Sequence, residues 1–451
     1  MSYYTALSAG ALFPLHERLK GHASTALRHE LERSQWWSAD ALEAHRARRL
    51  RDFLIDIGRR VPYYRILFRE LGFDPRAVRS TADLAALPLL TKSDIRLNVE
   101  KLKAADHKDL TRYSTGGSSG EPLVFYIGKA RKSHDVAAKW RATRWWGVDI
   151  GDKELVVWGS PIELGAQDRL RQLRDRLLRS RLLPAFDMSA HNMDRFVAQI
   201  QSTKPTMLFG YPSSLALIAA HARDRHVALN QLGIRVAFVT SERLYDAQRA
   251  LIESVFGCPV ANGYGARDAG FIAHQCPQGS LHISAEDIIV ETIAPNGQPT
   301  AAGEVGEIVV THMATSGFPF VRYRTGDMGA LSTMRCACGR GLPVLGELQG
   351  RSTDFVVAHD GTVLHGLALI YILRELPQIE QFQIRQFTPS LTEVHVVSRT
   401  GLDSGCQERI VAAFKARLGA AVEVRLVPTG HIPAERSGKY RYVMSQVEVL
   451  R

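Results

Sequence analysis

From about residue 130 the sequence alternates between two patterns of apolar residues, and this alternation limits the fold more than any other feature. Short apolar runs occur at 155–158, 206–209 and 236–239. Stretches with helical spacing separate them, for example at 193–202 and 247–256. Strands that alternate with helices pair in parallel, because each helix returns the chain to the same end of the sheet. The sequence therefore predicts an α/β fold with a parallel sheet.

The pattern changes between residues 281 and 335, where strand-like runs such as 288–290 and 307–310 are separated by turn residues. This texture predicts an antiparallel β subdomain. The residues after Gly350 follow the order β-α-β-β-α-β, which is typical of a small α+β domain. We therefore expect two domains, a large N-terminal one over residues 1–349 and a small C-terminal one over residues 350–451.

Composition excludes several classes of protein. The chain has 451 residues, 45% of them hydrophobic and 23% charged, as in ordinary globular proteins. No apolar stretch is long enough for a transmembrane helix, and the N-terminus lacks the basic segment of a signal peptide. The five cysteines do not resemble a secreted disulfide framework, which favours a cytoplasmic location. The net charge of +11 suits polyanions such as ATP and coenzyme A, and equally a nucleic acid or an anionic membrane.

One dense basic stretch lies at residues 168–181. Leu170, Leu173 and Leu177 recur there at helical spacing, which predicts an amphipathic helix with a basic face. A solvated face is the simpler interpretation of this helix. Docking to a membrane surface or to an acidic partner is the alternative.

Residues 114–122 form a loop with three glycines and four hydroxyl residues. Such a loop can direct several N–H and O–H donors at one anion, so it is a candidate phosphate loop. It lacks the Gly-Lys-Ser/Thr ending of a P-loop. Around Ser118 it also fits the Gly-x-Ser-x-Gly elbow of hydrolases, but that motif needs a helix after the serine, and residues 123–126 favour a strand. The elbow and a plain flexible loop remain the alternatives.

Two further segments look like parts of a nucleotide site. Asp327 follows a strand-like run, and a carboxylate there can accept two hydrogen bonds from a ribose diol. Lys439 follows Ser-Gly on a predicted turn and can deliver a mobile cation to a phosphate. Each segment is weak alone, since aspartates in turns and exposed lysines are common. Their order after the loop is the informative feature.

The three segments in this order resemble the adenylate-forming superfamily, and more closely its phenylacetate–CoA ligase and CapK-like branch. Residues 261–268, 306–310 and 348–354 extend the likeness over most of the chain. The resemblance implies that ATP activates a carboxylic acid as acyl-AMP with release of pyrophosphate, and that the acyl group then passes to coenzyme A. Transfer to an amine, a hydroxyl or a carrier protein is the alternative. A serine hydrolase and a zinc-containing nucleic-acid binder are more distant ones.

The resemblance also assigns roles to residues. Lys439 would bridge the substrate carboxylate and the α-phosphate, Arg351 would reach the ribose or a phosphate, and Asp268 stands where the family usually has a glutamate that ligates Mg²⁺. A mobile C-terminal domain would rotate about a hinge at Gly350 between the two half-reactions. The nucleotide would be held by Ser114, Thr115, Gly116, Gly117, Ser118, Ser119, Gly120, Ser241, Glu242, Asn262, Tyr264, Gly265 and Asp327.

Three positions depart from the family's pattern. Glu121 stands where many relatives have a lysine, so a direct cation on the leaving phosphates is missing from this position. Asp268 is one methylene shorter than glutamate, which can shift metal ligation or route it through water. Thr353 replaces the first aspartate of the hinge motif. Under the resemblance we expect a small-molecule acid as substrate and no nucleic acid, while a homodimer stays open.

Four residues match a closed structural Zn²⁺ site of three thiolates and one imidazole, namely Cys276, His282, Cys336 and Cys338. Their spacing is not that of common zinc fingers, and buried reduced cysteines are the alternative. His274 could replace His282 as a ligand.

The acyl pocket is less well specified by the sequence. Its candidates are aromatic residues, which lie more often in a core: Tyr126, Trp158, Phe186 and Tyr211.

Overall fold

The structure is a computed structural model of the 451-residue chain. It describes residues 2–114, 123–158, 169–185, 187–294, 296–348, 355–398, 401–432 and 442–447. The described helices are α1 Tyr3–Leu7, α2 Phe13–Leu19, α3 Ser24–Ser34, α4 Ala39–Arg60, α5 Pro62–Glu70, α6 Lys92–Leu97, α7 Lys129–Trp145, α8 Arg169–Leu177, α9 Ala190–Thr203, α10 Pro212–Asp224, α11 Asp246–Phe256, α12 Leu367–Arg374 and α13 Ser404–Leu418. None of these described helices is both long and apolar enough to span a membrane.

The strands form one large sheet and three smaller ones. Their bounds are β1 Thr111–Ser114, β2 Val124–Ile127, β3 Glu154–Trp158, β4 Ser180–Pro184, β5 Asp187–Met188, β6 Met207–Gly210, β7 Val236–Thr240, β8 Val260–Ala266, β9 Gly270–Gln275, β10 Leu281–Ile283, β11 Ile288–Ile293, β12 Gly306–His312, β13 Phe320–Leu331, β14 Val344–Leu348, β15 Phe355–Val357, β16 Val363–His365, β17 Gln381–Thr388, β18 Leu391–Val397, β19 Glu423–Pro428 and β20 Val443–Ser445.

The large sheet confirms the predicted α/β fold. Its strand order is β11-β12-β13-β14-β10-β9-β8-β7-β6-β3-β4, and the five strands β3, β4, β6, β7 and β8 are parallel. Every residue of β6 and β7 is buried. Helices cover both faces of a parallel sheet, which is why these strands are continuous apolar runs in the sequence rather than alternating ones.

The antiparallel strands continue this same sheet. Strand β8 pairs in parallel with β7 on one edge and antiparallel with β9 on the other. Strands β9 to β14 then pair antiparallel with one another. The predicted antiparallel texture is therefore present, but it is joined edge to edge with the parallel half. Local turn chemistry predicts the direction of neighbouring strands and carries no information about which sheet they enter.

The N-terminal helices pack against the antiparallel half of the sheet. Helix α4 begins after Ser38, whose hydroxyl accepts the N–H of Ala41 and caps the helix. Leu50, Leu54 and Ile57 on one face of α4 have no exposed surface. They join the large core formed with β9 to β13. This core supports the strands that carry the candidate site.

The basic helix predicted near residues 168–181 is present as α8. Its leucines are not packed in a core, because Leu173 and Leu177 are each more than half exposed. The helix therefore presents apolar and basic side chains to the surface together. The side chain of Leu170 lies outside the described set.

The C-terminal residues build a separate small core. Strands β17 to β20 form a four-stranded sheet in the order β19-β18-β17-β20. Helices α12 and α13 share a buried cluster with it, including Leu369, Ile410 and Phe414. Strand β16 pairs with β15 and also with β5, where Val363 lies opposite Met188. The predicted order of strands and helices is present, with β16 and β20 added, and the expected boundary at Gly350 lies outside the described residues.

Candidate active site

A cavity of about 480 Å³ opens at the carboxyl ends of four parallel strands. These strands are β3, β6, β7 and β8, which end at Trp158, Gly210, Thr240 and Ala266. In α/β sheets ligands bind outside the carboxyl ends of the strands, because the loops there diverge and leave a crevice. The lining residues are Tyr113, Ile127, Lys132, Asp135, Val136, Trp158, Phe209, Tyr211, Thr240, Ser241, Gly265, Ala266, Arg267, Gly270, Phe271 and Tyr371.

Ser241 lies in this cavity directly after β7 and has a strained backbone. Its φ is +73°, in the left-handed region that residues with a side chain rarely adopt. Such conformations cost about 1–3 kcal/mol and persist where the surrounding structure imposes them, often at ligand sites. The neighbouring Glu242 accepts a hydrogen bond from the Ser213 hydroxyl at the start of α10. Both residues are among those predicted to border the adenine.

The turn between β8 and β9 forms another wall, and it depends on glycine. A Cβ on Gly265 would lie 2.3 Å from the carbonyl oxygen of Gly270, which is too close for any side chain. The register of the two strands shifts between Tyr264 and Gly265. Asn262, earlier on β8, is half-buried, and its N–H donates to the Gln275 side chain at 2.9 Å.

Asp327 and Tyr264 come together although they are far apart in sequence. The Tyr264 hydroxyl donates to Asp327 Oδ2 at 3.0 Å, and the Asp327 N–H donates to Thr325 Oγ1 at 3.1 Å. The tyrosine is buried, so this hydrogen bond fixes the position of the carboxylate against β8. Strand β13 thus brings the predicted ribose ligand beside the residues predicted to contact the base.

Asp268, the predicted Mg²⁺ position, is buried and engaged in hydrogen bonds. Its Oδ2 accepts the Tyr323 hydroxyl at 2.5 Å, and its Oδ1 accepts the N–H of Ala269 at 3.1 Å. A metal bound directly would have to share this buried carboxylate with both donors. The geometry fits a carboxylate that orders β8 and β13 and reaches a metal through water better than it fits a direct ligand.

Several predicted site residues cannot be placed. Thr115, Gly116, Gly117, Ser118, Ser119 and Gly120 lie outside the described residues, as do Glu121, Phe186, Arg351, Thr353 and Lys439. Strands β1 and β2 form an antiparallel hairpin whose connection contains the glycine loop. Ser114 ends β1, and its carbonyl oxygen accepts from Arg267 at 3.4 Å. Because β2 begins at Val124, where a nucleophile elbow requires a helix, the elbow interpretation is wrong.

The apolar part of the cavity is aromatic. The Trp158 ring stacks on Tyr211, with centroids 4.2 Å apart and planes at 18°, and it also faces Phe209. Tyr371, on α12, closes the cavity from the C-terminal part of the chain. Tyr126, also a candidate, packs against Phe318 and is not among the lining residues.

A buried charged cluster behind this wall was missed from the sequence. Asp135 lines the cavity, and both its oxygens accept from Arg131 Nε at 2.9 Å. His134 and His312 lie on its other sides, and their ring nitrogens come within 4.8 Å of the carboxylate. Burial lowers the pKa of His312 to about 3, with Arg131 adding to the effect, so this imidazole is neutral.

This cluster contains two histidines and a carboxylate, as many metal sites do, but its charges do not favour a cation. The Arg131 guanidinium occupies both oxygens of Asp135 and repels a second positive charge. Helix α7 supplies three of the residues within about one helical turn, and His312 comes from the end of β12. No local sequence signal links His312 to α7, which is why only the structure reveals the group.

The four predicted zinc ligands do converge. Their ligand atoms lie within 4.8 Å of one another, with Cys276 Sγ 3.6 Å from Cys336 Sγ and Cys338 Sγ 3.2 Å from His282 Nε2. Tetrahedral ligands at zinc bond lengths lie about 3.5–3.8 Å apart. The other ring nitrogen of His282 faces the Leu342 carbonyl at 3.2 Å, as in most histidine metal sites. His274 does not belong to this group.

Comparison with known proteins agrees with this arrangement. Residues 356–446 match the family model of the CapK C-terminal domain. The chain is 25% identical to a phenylacetate–coenzyme A ligase of Thermus thermophilus, covering 90% of this chain and 96% of that protein. It is 23% identical to protein CapK of Staphylococcus aureus, covering 89% and 88%.

The fold has a similar counterpart among solved structures. A 2-hydroxyisobutyryl-CoA ligase in complex with its acyl-AMP and CoA superimposes with a TM-score of 0.68 at 20% identity, covering 93% of this chain and 92% of that one. At this identity the likeness concerns the fold. Taken with the similarity to the ligases and CapK over nearly the whole length, it supports the resemblance to the phenylacetate–CoA ligases and CapK that the sequence motifs indicate.

Proposed function

We propose that this chain activates a carboxylic acid with ATP as an acyl-adenylate and transfers the acyl group to coenzyme A. One observation carries the proposal. Ser241 and Gly265 line one cavity at the carboxyl ends of the parallel strands, and Tyr264, beside Gly265, holds Asp327 by a hydrogen bond. The names of the relatives support the same activity, since several are phenylacetate–CoA ligases.

In this proposal the nucleotide is held by its ribose and base. Asp327 accepts hydrogen bonds from the ribose hydroxyls, because a carboxylate can accept from both hydroxyls of a diol, and Tyr264 holds this one in position. The strained turn at Ser241 and the end of β8 border the adenine. Asn262 lies two residues before Tyr264 on β8 and supports this part of the cavity wall.

The chemistry then requires two anions to meet. A carboxylate oxygen attacks the α-phosphorus, the bond to the β-phosphate breaks, and pyrophosphate leaves with the electron pair. The protein must neutralise charge and align the reactants. We assign the donors of residues 114–120 to the β- and γ-phosphates, and Lys439 and Arg351 to the α-phosphate and ribose, as the resemblance implies. Mg²⁺ bound with ATP would supply further positive charge at the phosphates, and Asp268 fits a water-mediated contact with it.

The second half-reaction needs no protein nucleophile. The thiolate of coenzyme A attacks the carbonyl carbon of the mixed anhydride, and AMP leaves. An aromatic cavity wall formed by Trp158, Tyr211 and Phe271 keeps water from the anhydride. Residues 1–349 and 350–451 would be the two bodies, and they would rotate about residue 350. This rotation would move Lys439 away from the site and let the thiol of coenzyme A reach the acyl group.

ATP–pyrophosphate exchange that depends on an added carboxylic acid tests the first step. We expect exchange with some members of an acid panel and none without acid. Asp327→Asn should raise the KM for ATP by roughly tenfold or more, because it weakens charge-assisted hydrogen bonds to the ribose. Asp224→Asn, at an exposed end of α10, is the matched control and should leave exchange unchanged. A panel of acids that gives no exchange would overturn the proposal.

A separate assay tests the acceptor. With the acid identified, coenzyme A should be consumed in step with AMP formation. If acyl-AMP forms but coenzyme A is not consumed, the acceptor is an amine, a hydroxyl or a carrier-protein thiol, and only the second half of the proposal fails. The similarity to protein CapK keeps this second acceptor class in the experiment.

A further inference from the structure

Exposed apolar side chains are concentrated in two short segments of this molecule, residues 3–20 and 173–181. The structure exposes fifteen large apolar side chains among the residues it describes, and seven of them lie in these two segments. We call these seven the apolar patch: Tyr3, Leu7, Leu12, Leu15, Leu19, Leu173 and Leu177. Single apolar residues scattered over a surface are ordinary, whereas a concentration of them marks a site of interaction.

The first five residues of the apolar patch follow one face of a nearly continuous helix. Helices α1 and α2 are joined by one π-helical turn. Leu12, Leu15 and Leu19 are separated by three and four residues, as on one side of an α-helix, and so are Tyr3 and Leu7. The wider π turn brings residues five apart into line, which joins Leu7 to Leu12. The five side chains therefore form one stripe.

The opposite face of this helix is fixed to the protein. Thr5 Oγ1 donates to Asp152 Oδ1 at 2.7 Å, and Phe13 packs edge-on against Trp140 with ring centroids 5.2 Å apart. Thr5 and Phe13 are both buried, so the stripe is held facing outward. Leu19 is 80% exposed, which means that its side chain projects from the surface and does not line a groove.

The end of α8 meets this helix and completes the apolar patch. The Tyr4 hydroxyl donates to the Leu177 carbonyl oxygen at 2.5 Å, and the Arg179 guanidinium lies 3.9 Å from the centroid of the Tyr4 ring. Burial lowers the pKa of His16 on α2, and Arg174 on α8 is near enough to add to this effect. The two segments thus form one surface.

The apolar patch is bordered by positive charge. Its two segments contain six lysines and arginines and only two acidic residues. Both acidic residues are occupied or hidden, because Glu17 is buried and Asp175 pairs with Arg174 at 2.5 Å. Arg18 and Arg176 are exposed and form no ion pair within the part of the chain that the structure describes. The surface is therefore both apolar and cationic.

This combination matches an anionic lipid bilayer. Interfacial helices insert apolar side chains between lipids, while lysines and arginines meet the phosphates of the headgroups. A second copy of the chain fits less well, since a two-fold interface would bring the same positive surface against itself. Projecting leucines also need no shaped partner when they enter a fluid phase.

We propose that the apolar patch and the arginines around it form a docking surface for the headgroup region of an anionic lipid bilayer. The helix of residues 3–19 lies along the membrane plane with its leucines among the acyl chains. Arg18 and Arg176 lie at the level of the lipid phosphates. The inference depends on neither the acid nor the acceptor of the proposed function.

Flotation of the full chain with lipid vesicles tests this surface. One set of vesicles is phosphatidylcholine alone, and the other contains about one third phosphatidylglycerol, an anionic lipid. The wild-type protein should partition onto the anionic set roughly tenfold or more strongly at low salt, and should dissociate as added salt screens the charges. Equal binding to both sets, or no binding to the anionic set, would overturn the proposal.

The apolar part of the surface is tested by Leu15→Ser with Leu19→Ser. This variant should bind anionic vesicles roughly tenfold or more weakly, because two side chains no longer enter the apolar phase. Its Tm should stay that of the wild type, since both positions are exposed. Leu71→Ser with Leu97→Ser makes the same change at exposed leucines outside the apolar patch and should keep wild-type binding. Undiminished binding by the first variant would refute the assignment.

The basic part is tested by Arg18→Gln with Arg176→Gln. Binding to anionic vesicles should fall about tenfold, while binding to phosphatidylcholine should stay unchanged. Arg65→Gln with Arg69→Gln, at exposed positions on α5, removes the same charge elsewhere and should bind as the wild type does. Equal losses in the two variants would trace binding to net charge and not to this surface. A dimer in solution that the leucine variant dissociates, without vesicle binding, would assign the apolar patch to a second copy of the chain.

Discussion

Buried charges in this molecule are paired across long distances in sequence. Glu286, which follows β10, accepts from Arg141 on α7 at 2.6 Å and from Ser34 on α3 at 2.6 Å. The arginine and the glutamate have almost no exposed surface. Removal of one partner would leave the other charge buried and uncompensated, which costs more than the pair contributes. Such groups therefore hold N-terminal helices in place on the sheet.

Glu286→Ala should lower the free energy of unfolding by about 3–5 kcal/mol, because it leaves Arg141 without its carboxylate. Urea denaturation followed by circular dichroism measures the change. Glu30→Ala, an exposed position on α3, is the matched control and should stay within about 0.5 kcal/mol of the wild type. Equal stability of the two variants would mean that water or another side chain compensates Arg141.

His312 makes stability depend on pH. Its pKa is lowered to about 3 by burial and by Arg131, whereas an unfolded histidine titrates near 6.5. The unfolded chain therefore binds a proton that the folded chain excludes as pH falls below about 6.5. Stability is complete above that value and declines toward pH 3, by at most about 1.4 kcal/mol per pH unit for this group.

His312→Asn should flatten this decline between pH 6.5 and pH 4.5. The side-chain amide cannot be protonated and can still accept the Ala314 N–H that His312 Nδ1 accepts at 3.3 Å. Urea midpoints at pH 7.5, 6.5, 5.5 and 4.5 give the slope for each protein. His29→Asn, at an exposed position on α3, is the control and should keep the wild-type slope. An unchanged slope in the His312 variant would show that His312 takes up its proton as readily in the folded protein as in the unfolded chain.

At the scale of elements, the four-residue cysteine and histidine cluster lies at the connections of four neighbouring strands of the large sheet, β9, β10, β13 and β14. Cys276 follows β9, His282 lies in β10, and Cys336 and Cys338 lie between β13 and β14. The same connection continues to Arg340, whose guanidinium lies over the rings of Trp36 and Trp145. We infer that zinc at this cluster would fix the β13–β14 connection against the N-terminal helices.

Removal of zinc should therefore act on stability. A strong chelator should lower Tm by several degrees, because a structural metal contributes binding free energy to the folded state. Cys338→Ala should lose zinc in elemental analysis of the purified protein, whereas Cys258→Ala, a buried cysteine outside the cluster, should retain one equivalent. Zinc-free wild-type protein with an unchanged Tm would contradict the structural role.

At the scale of the whole molecule, sequence and structure agree where local pattern decides. Apolar runs separated by helical stretches predicted β3, β6 and β7, since burial on both faces requires continuous apolar residues. The union of the antiparallel strands with that sheet depends on the pairing of β8 with β9, which local pattern does not encode. The cysteine cluster was predictable because thiolates and imidazole have few other uses together. The Asp135 cluster was not, because His312 joins α7 only through the tertiary fold.

The proposed division into residues 1–349 and 350–451 makes a distinct prediction for Lys439. We expect Lys439 to serve only the conformation that forms the adenylate. In that case Lys439→Ala should reduce acid-dependent ATP–pyrophosphate exchange by about a hundredfold or more, as removal of a charged transition-state donor does. Thioester formation from a supplied acyl-adenylate should change less than threefold, because the resemblance implies that this step uses another face of the C-terminal domain. Lys415→Ala, on α13 of the same domain, makes the same charge change and should leave both rates intact. Equal losses in both half-reactions would argue that one arrangement of the domains performs both steps.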